Sequence, residues 1–146
     1  MNRSIVDLAQ QIATAAHEGQ VDKAGRPYIT HPARVAARVS GDEYAAAAAW
    51  LHDVVEDTDV TLADLERVFP PEVVEAVDAL TRRPDEEPAS YYARVRQVPL
   101  ASTVKLADLD DNSDPQRLAR LDAQTRERLL AKYARTRTEL LAGRRL

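Results

Sequence analysis

Apolar residues recur every three or four positions along most of the chain, and no stretch alternates at the two-residue period of a half-buried strand. Ile5, Leu8, Ile12, Ala15 and Ala16 mark a first helix to about Glu18, opened by Ser4 with Asp7 and closed by Gly19. A second begins at Thr30-His31-Pro32, with Thr30 as its cap and Val35, Ala36 and Val39 on its apolar side. Ser40-Gly41-Asp42 breaks the chain before Tyr44 to Leu51, which is apolar on all sides and so predicts a buried helix. That helix is expected to continue through His52-Asp53-Val54-Val55-Glu56-Asp57 to Thr58. Thr61 with Asp64 caps the next, carrying Leu62, Leu65 and Val68, and Pro71 opens one bearing Val73, Val74, Val77 and Leu80. Residues 82–88 form a polar connection, the internal segment expected to move most. Ser90 to Arg96 reads as a short amphipathic helix with Tyr91 or Tyr92 in the core, Arg94 and Arg96 staying unassigned. Leu100 to Asn112 is a buried helix with Asp108 facing the core and Asp110 and Asp111 facing solvent. Pro115 onward reads as a helical pair packed through Leu118, Leu121, Leu129, Leu130, Tyr133, Leu140 and Leu141, with residues 143–146 fraying.

The expectation is an all-α bundle of about eight helices in a single domain, residues 1–146. Four glycines in the chain agree with helices over tight-turned sheets, and aromatics at 5% leave the core to Ala, Val and Leu. The absence of cysteine removes disulfides, thiolate metal sites and cysteine nucleophiles. A net charge of −4 argues against a nucleic-acid binder. No apolar run approaches about 18 residues and no signal-peptide pattern opens the chain, so a cytoplasmic protein off the membrane is expected.

The chemistry concentrates at His52-Asp53 and Glu56-Asp57. On a continuous helix His52 and Glu56 share one face and Asp53 and Asp57 the adjoining one. Three carboxylates and an imidazole beside apolar helix repel one another unless a cation intervenes. His31 sits at a rigid loop-to-helix junction, and Asp108 on a buried face asks for a partner. His31, His52, Asp53 and Asp108 together offer two neutral imidazoles and two carboxylates, which balance one divalent ion. Such a mixed set suits Mn²⁺, Fe²⁺, Co²⁺ or Zn²⁺ better than Ca²⁺. Glu56 and Asp57 are then placed to orient or deprotonate an attacking water, as in a hydrolase. His17 reads as a helix-end cation or packed core group rather than a ligand. The loop from Gln20 brings Lys23 and Arg26 ahead of Tyr28, either as a phosphate or base contact or as an ordinary solvated connection.

Ala16-His17-Glu18-Gly19-Gln20, Pro27-Tyr28-Ile29-Thr30-His31-Pro32, Leu51-His52-Asp53-Val54-Val55-Glu56-Asp57-Thr58 and Val104-Lys105-Leu106-Ala107-Asp108 with Asn112 resemble the HD-domain metal phosphohydrolases. Within them, the hydrolase domain of RelA/SpoT-type alarmone enzymes and their small stand-alone relatives is the most similar. The resemblance implies an all-helical, Mn²⁺-dependent enzyme that removes the 3′-pyrophosphate of (p)ppGpp. It casts His31, His52, Asp53 and Asp108 as metal ligands and Glu56 and Asp57 as the water-activating pair. Lys23, Arg26, Tyr28, Lys105 and Asn112 are the candidate substrate contacts. One departure stands out: after Gly19-Gln20-Val21 guanine-specific relatives usually carry arginine, and this chain has Asp22. An adenine alarmone or another nucleotide is therefore the alternative substrate, and a nucleotide-sensing domain without turnover the alternative from another class. A small-molecule nucleotide is the expected partner, with self-association left open.

Overall fold

The structure, a computed structural model, describes residues 4–142. Among them lie ten helical segments and no strand beyond an isolated bridge between Val21 and Pro27. In order these are α1 (Ile5–Ala16), α2 (Thr30–Arg38), α3 (Glu43–Leu51), α4 (Val54–Asp57), α5 (Leu62–Glu66), α6 (Pro71–Leu80), α7 (Pro88–Gln97), α8 (Pro99–Asn112), α9 (Pro115–Leu118) and α10 (Ala123–Leu141). The all-α expectation holds; α4 and α9 are single turns, and the other eight carry the bundle.

Local chemistry sets the helix starts. Ser4 accepts the Asp7 amide, Asp42 accepts those of Tyr44 and Ala45, and Thr61 and Asp64 form a reciprocal box. α6, α7, α8 and α9 each begin on proline, whose missing N–H costs nothing in a first turn. Thr30 departs from expectation: it is the first residue of α2, not its cap, and its hydroxyl donates to the Pro27 carbonyl at 2.8 Å. The carbonyls of Pro27 and Tyr28 already take the amides of Thr30 and His31, so no side-chain cap is needed.

The alanine-rich α3 is the hub, packed by α1, α2, α6 and α8. Ala45 to Ala49 are at most 4% exposed, and methyl-sized side chains on every side let four helices close around it. Ala48→Leu therefore has no void to fill and should cost about 1–3 kcal/mol. A thermal-unfolding midpoint unchanged from wild type would contradict that packing.

Tyr91 and Tyr92 are both buried, the latter sharing a 2.9 Å hydrogen bond with Thr136. The 82–88 connection, expected to move most, is held by Arg83 on the Asp78 and Thr81 carbonyls and by Glu86 on Arg94. Arg96 donates to the Glu139 carbonyl. The C-terminal pair is one turn plus a 19-residue helix; Leu118, Leu129 and Leu140 are buried in it, while Leu130 and Leu141 face outward, against expectation. One face of so long a helix meets the bundle, so its leucines cannot all be covered. The fraying expected for residues 143–146 lies outside the described residues. Among the described residues no helix is long and apolar enough to cross a membrane.

Candidate metal centre and cleft

His31 near the start of α2, His52 at the end of α3 and Asp108 on α8 converge in the core. Their donor atoms all lie within 4.8 Å of one another, and all three residues are buried. His52 Nδ1 lies 2.6 Å from the Ala49 carbonyl oxygen, which can only accept, so the ring proton sits on Nδ1. In the neutral ring Nε2 then carries the lone pair; it is buried and without a hydrogen-bond partner, facing Asp53 Oδ2 at 3.0 Å and Asp108 Oδ1 at 3.3 Å. His31 repeats the arrangement, with Nδ1 2.6 Å from Asp111 Oδ2 and Nε2 2.7 Å from Asp108 Oδ1. Lone pairs aimed at carboxylates repel unless a cation or proton stands between them.

The charges around the two imidazoles act on that repulsion. Burial works against a charged His52, but Asp53 and Asp108 outweigh it and hold the imidazole well above its ordinary range. His31 is raised likewise, burial being overcome by Asp108 and Asp111. Burial opposes an ionised Asp53, yet His52 holds its carboxyl down at about 2. His31, His52 and Asp108 bring their donor atoms close enough together to hold a divalent ion, and Asp53, with Oδ2 3.0 Å from His52 Nε2, stands beside them as the fourth expected ligand; two imidazoles and two carboxylates without thiolate fit such an ion.

The chain around His52 departs from the continuous helix expected. α3 stops at Leu51, because the Ala49 carbonyl that would receive the Asp53 amide is taken by the His52 ring and amide. Asp53, at φ −108° and ψ 0°, caps the separate turn α4, which ends where Thr58 goes extended. The break lets His52 and Asp53, which a helix would set about 100° apart, face one centre. It also removes the predicted stacking of Glu56 over His52.

A cavity of about 540 Å³ opens over this centre. Glu56 and Asp57 stand on its rim; Glu56 Oε1 accepts the Arg82 amide at 2.8 Å. Burial, then the nearby Asp53 and Glu56 charges, push the Asp57 carboxyl above its usual range, towards the region useful for proton transfer.

Of the expected substrate contacts, Lys23, Tyr28 and Asn112 line the cavity. The Tyr28 hydroxyl donates to Asp53 Oδ2, and its ring lies between His17, at 4.9 Å, and His31, at 5.8 Å. Arg26 is a correction: it lines a separate cavity of about 150 Å³ shared with Arg34 and Arg120, because the Asp22 carboxylate accepts its amide and turns the loop outward. Lys105 is another, being spent on Asp108 at 2.9 Å with its ammonium 5.7 Å from the Tyr91 ring centre. Burial opposes its charge, but Asp108 holds Lys105 above its usual range. Arg94 and Arg96 do not reach the cavity. His17 is buried with Nδ1 2.9 Å from Gln20 Oε1, the packed group expected.

Asp111 is the largest correction. Expected in solvent, it is fully buried, accepting from His31, from Arg34 Nε at 2.8 Å and from Arg117 at 2.8 Å. Burial opposes its ionisation, yet His31 and Arg34 keep the carboxyl at about 2. The missed signal is spacing: Asp111 follows Asp108, and Arg34 follows His31, by three residues, so each pair shares a helix face. Lys132 and Tyr133 of α10 also line the cavity. Burial, then the like charges of Arg82, Lys23 and Lys105, hold Lys132 below its usual range.

The family model described as "HD domain" matches residues 9–132. The chain is 44% identical over 77 residues to the bifunctional (p)ppGpp synthase/hydrolase SpoT of Escherichia coli strain K12, a match covering 51% of this chain and 11% of that protein. It is 46% identical over 74 residues to the guanosine-3′,5′-bis(diphosphate) 3′-pyrophosphohydrolase of Vibrio cholerae serotype O1, covering 49% of this chain and 10% of that protein. The chain thus spans only a small part of the curated relatives it matches. Among solved structures it is similar to a metazoan ortholog of SpoT, described as hydrolysing ppGpp with a role in starvation responses. That likeness has a TM-score of 0.78 at 27% identity and covers 98% of this chain and 88% of that one. With a family model spanning most of its length and the paired histidines and aspartates on helices of the matching fold, the chain belongs to the HD-domain family.

Proposed function

We propose that the chain is a divalent-metal phosphohydrolase, working with Mn²⁺, that releases pyrophosphate from the 3′ position of a guanosine alarmone of the (p)ppGpp type. The observation that carries this reading is the bare Nε2 of His52 facing two carboxylates beneath a nucleotide-sized cleft. Five carboxylates line that cleft (Asp22, Asp53, Glu56, Asp57 and Asp108) against three cations, Lys23, Arg117 and Lys132. Such a balance repels a polyphosphate unless a cation is added, which His31, His52, Asp53 and Asp108 would hold.

When bound, a divalent ion supplies Lewis acidity and makes water ionise near neutral pH. The protein does the rest by positioning. Asp57, its carboxyl biased towards proton uptake, and Glu56, fixed by the Arg82 amide, stand where they can take a proton from the attacking water. Water oxygen ends on the phosphorus nearest the sugar, the bond from that phosphorus to the ribose 3′ oxygen breaks, and the sugar leaves as its 3′ hydroxyl. Lys23, Lys132 and Asn112 on the cleft wall hold the phosphates and sugar. The whole chain then acts as one hydrolase domain, in the cytoplasm where nucleotides circulate.

An adenine 3′-pyrophosphate nucleotide is the second reading, favoured by Asp22 on the cleft wall where a guanine-stacking arginine would be expected. Pyrophosphate release from guanine and adenine 3′-pyrophosphate nucleotides, assayed side by side with Mn²⁺, decides between them. Turnover with at least one, abolished by EDTA, is expected; release that survives EDTA contradicts the mechanism, and binding without turnover makes the domain a sensor.

A further inference from the structure

We infer that Arg117 and Asp111 form a strut that holds the cleft-wall loop and the His31 imidazole in register, making Arg117 a positioning residue for the metal centre. Arg117 follows α8 in sequence and stands in neither the His-Asp set nor the Glu56-Asp57 pair. Its Nη1 donates to Asp111 Oδ2 at 2.8 Å and contacts Asn112 Oδ1 at 3.3 Å. Its Nη2 faces Asp22 Oδ2 at 3.6 Å. Asp111 Oδ2 is shared between that guanidinium and His31 Nδ1, while Oδ1 takes Arg34 Nε. Asp22 Oδ1 in turn accepts the amides of Ala24 and Arg26 and so sets the shape of the loop carrying Lys23. A continuous polar path therefore runs from loop, through Arg117 and Asp111, to His31.

The charges close. Asp22 and Asp111 balance Arg34 and Arg117, so the strut is neutral when His31 is neutral, the form in which Nε2 offers its lone pair. Two guanidiniums keep Asp111 an acceptor, and an acceptor at Nδ1 fixes the ring proton there and the ring plane with it. Because Arg117 touches both carboxylates, displacing the loop pulls on the orientation of His31.

This rests on the reading of His31 as a metal ligand, and the test separates the two. Mn²⁺ is titrated calorimetrically into the wild-type chain, Asp111→Asn, Arg117→Gln, Arg117→Lys and, as a control, Arg137→Gln, which breaks only an outlying pair with Asp110. Asp111→Asn and Arg117→Gln should weaken Mn²⁺ about 10- to 100-fold. Arg117→Lys should recover part of that, since an ammonium cannot span both carboxylates. Arg117→Gln should also speed hydrogen exchange at the Ala24 and Arg26 amides. Wild-type affinity and loop exchange in both Arg117 variants overturn the strut, and the Arg117 side chain is 26% exposed where Asp111 is fully buried, so its variants carry the test even if Asp111→Asn fails to fold. A wild-type chain that takes up no Mn²⁺ sinks the metal reading instead.

Discussion

Asp53→Ala should abolish turnover by emptying the metal centre. Its carboxylate is one of two that face Nε2 of His52. Residues that merely orient ligands cost about 10- to 100-fold in metal affinity, so loss of a charged ligand should exceed about 100-fold. The fold should survive, because Asp53 caps a single turn and its partner outside the centre is the Tyr28 hydroxyl, which borders the open cleft. Asp108→Ala is a poorer probe, since it also strands half-buried Lys105 and buried His31 and conflates unfolding with metal loss. Calorimetric Mn²⁺ titration beside circular dichroism reads both effects; a folded Asp53→Ala protein with wild-type affinity would remove Asp53 from the ligand set.

Glu56→Gln is the complementary case and should separate chemistry from binding. The Glu56 carboxylate accepts the Arg82 amide through Oε1, and a glutamine carbonyl can take over that bond. Fold, metal affinity and KM should therefore stay close to wild type. What the amide cannot do is take a proton, so kcat should fall about 100- to 10,000-fold. Asp57→Asn should behave similarly, and more severely if Asp57, the carboxyl already displaced upward, is the group that takes the proton. A Glu56→Gln enzyme with near-normal kcat would leave Asp57 as the sole candidate base.

The helices were legible because they rest on local pattern: caps, prolines at helix starts and the unbroken apolar run of α3 set the element order. The convergence of His31, His52 and Asp108, expected from their residue types, is what the fold brings together, and Asp53 stands beside them against His52. Geometry around them was not readable, for reasons that are tertiary. The break after Leu51 arises from the His52 ring occupying the Ala49 carbonyl, a side-chain bond that helical periodicity cannot register. Asp111 looked solvated because it stands in an acidic run. Only the packing of α2 against α8, with Arg34 one turn beyond His31, makes a fully buried carboxylate affordable there. Arg26 and Lys105 were expected beside the substrate from their places in the loop before Tyr28 and in the motif that ends at Asp108. Loop curvature sends the first outward, and a partly buried ion pair with Asp108 engages the second.

The central claim is that His31, His52, Asp53 and Asp108 close on one divalent cation. Crystals grown with Mn²⁺ and measured at the manganese absorption edge test it most directly. A single strong anomalous peak within bonding distance of His31 Nε2, His52 Nε2 and the Asp53 and Asp108 carboxylates is the result predicted. A map with no peak among those four side chains, or with manganese held elsewhere on the chain, would contradict it.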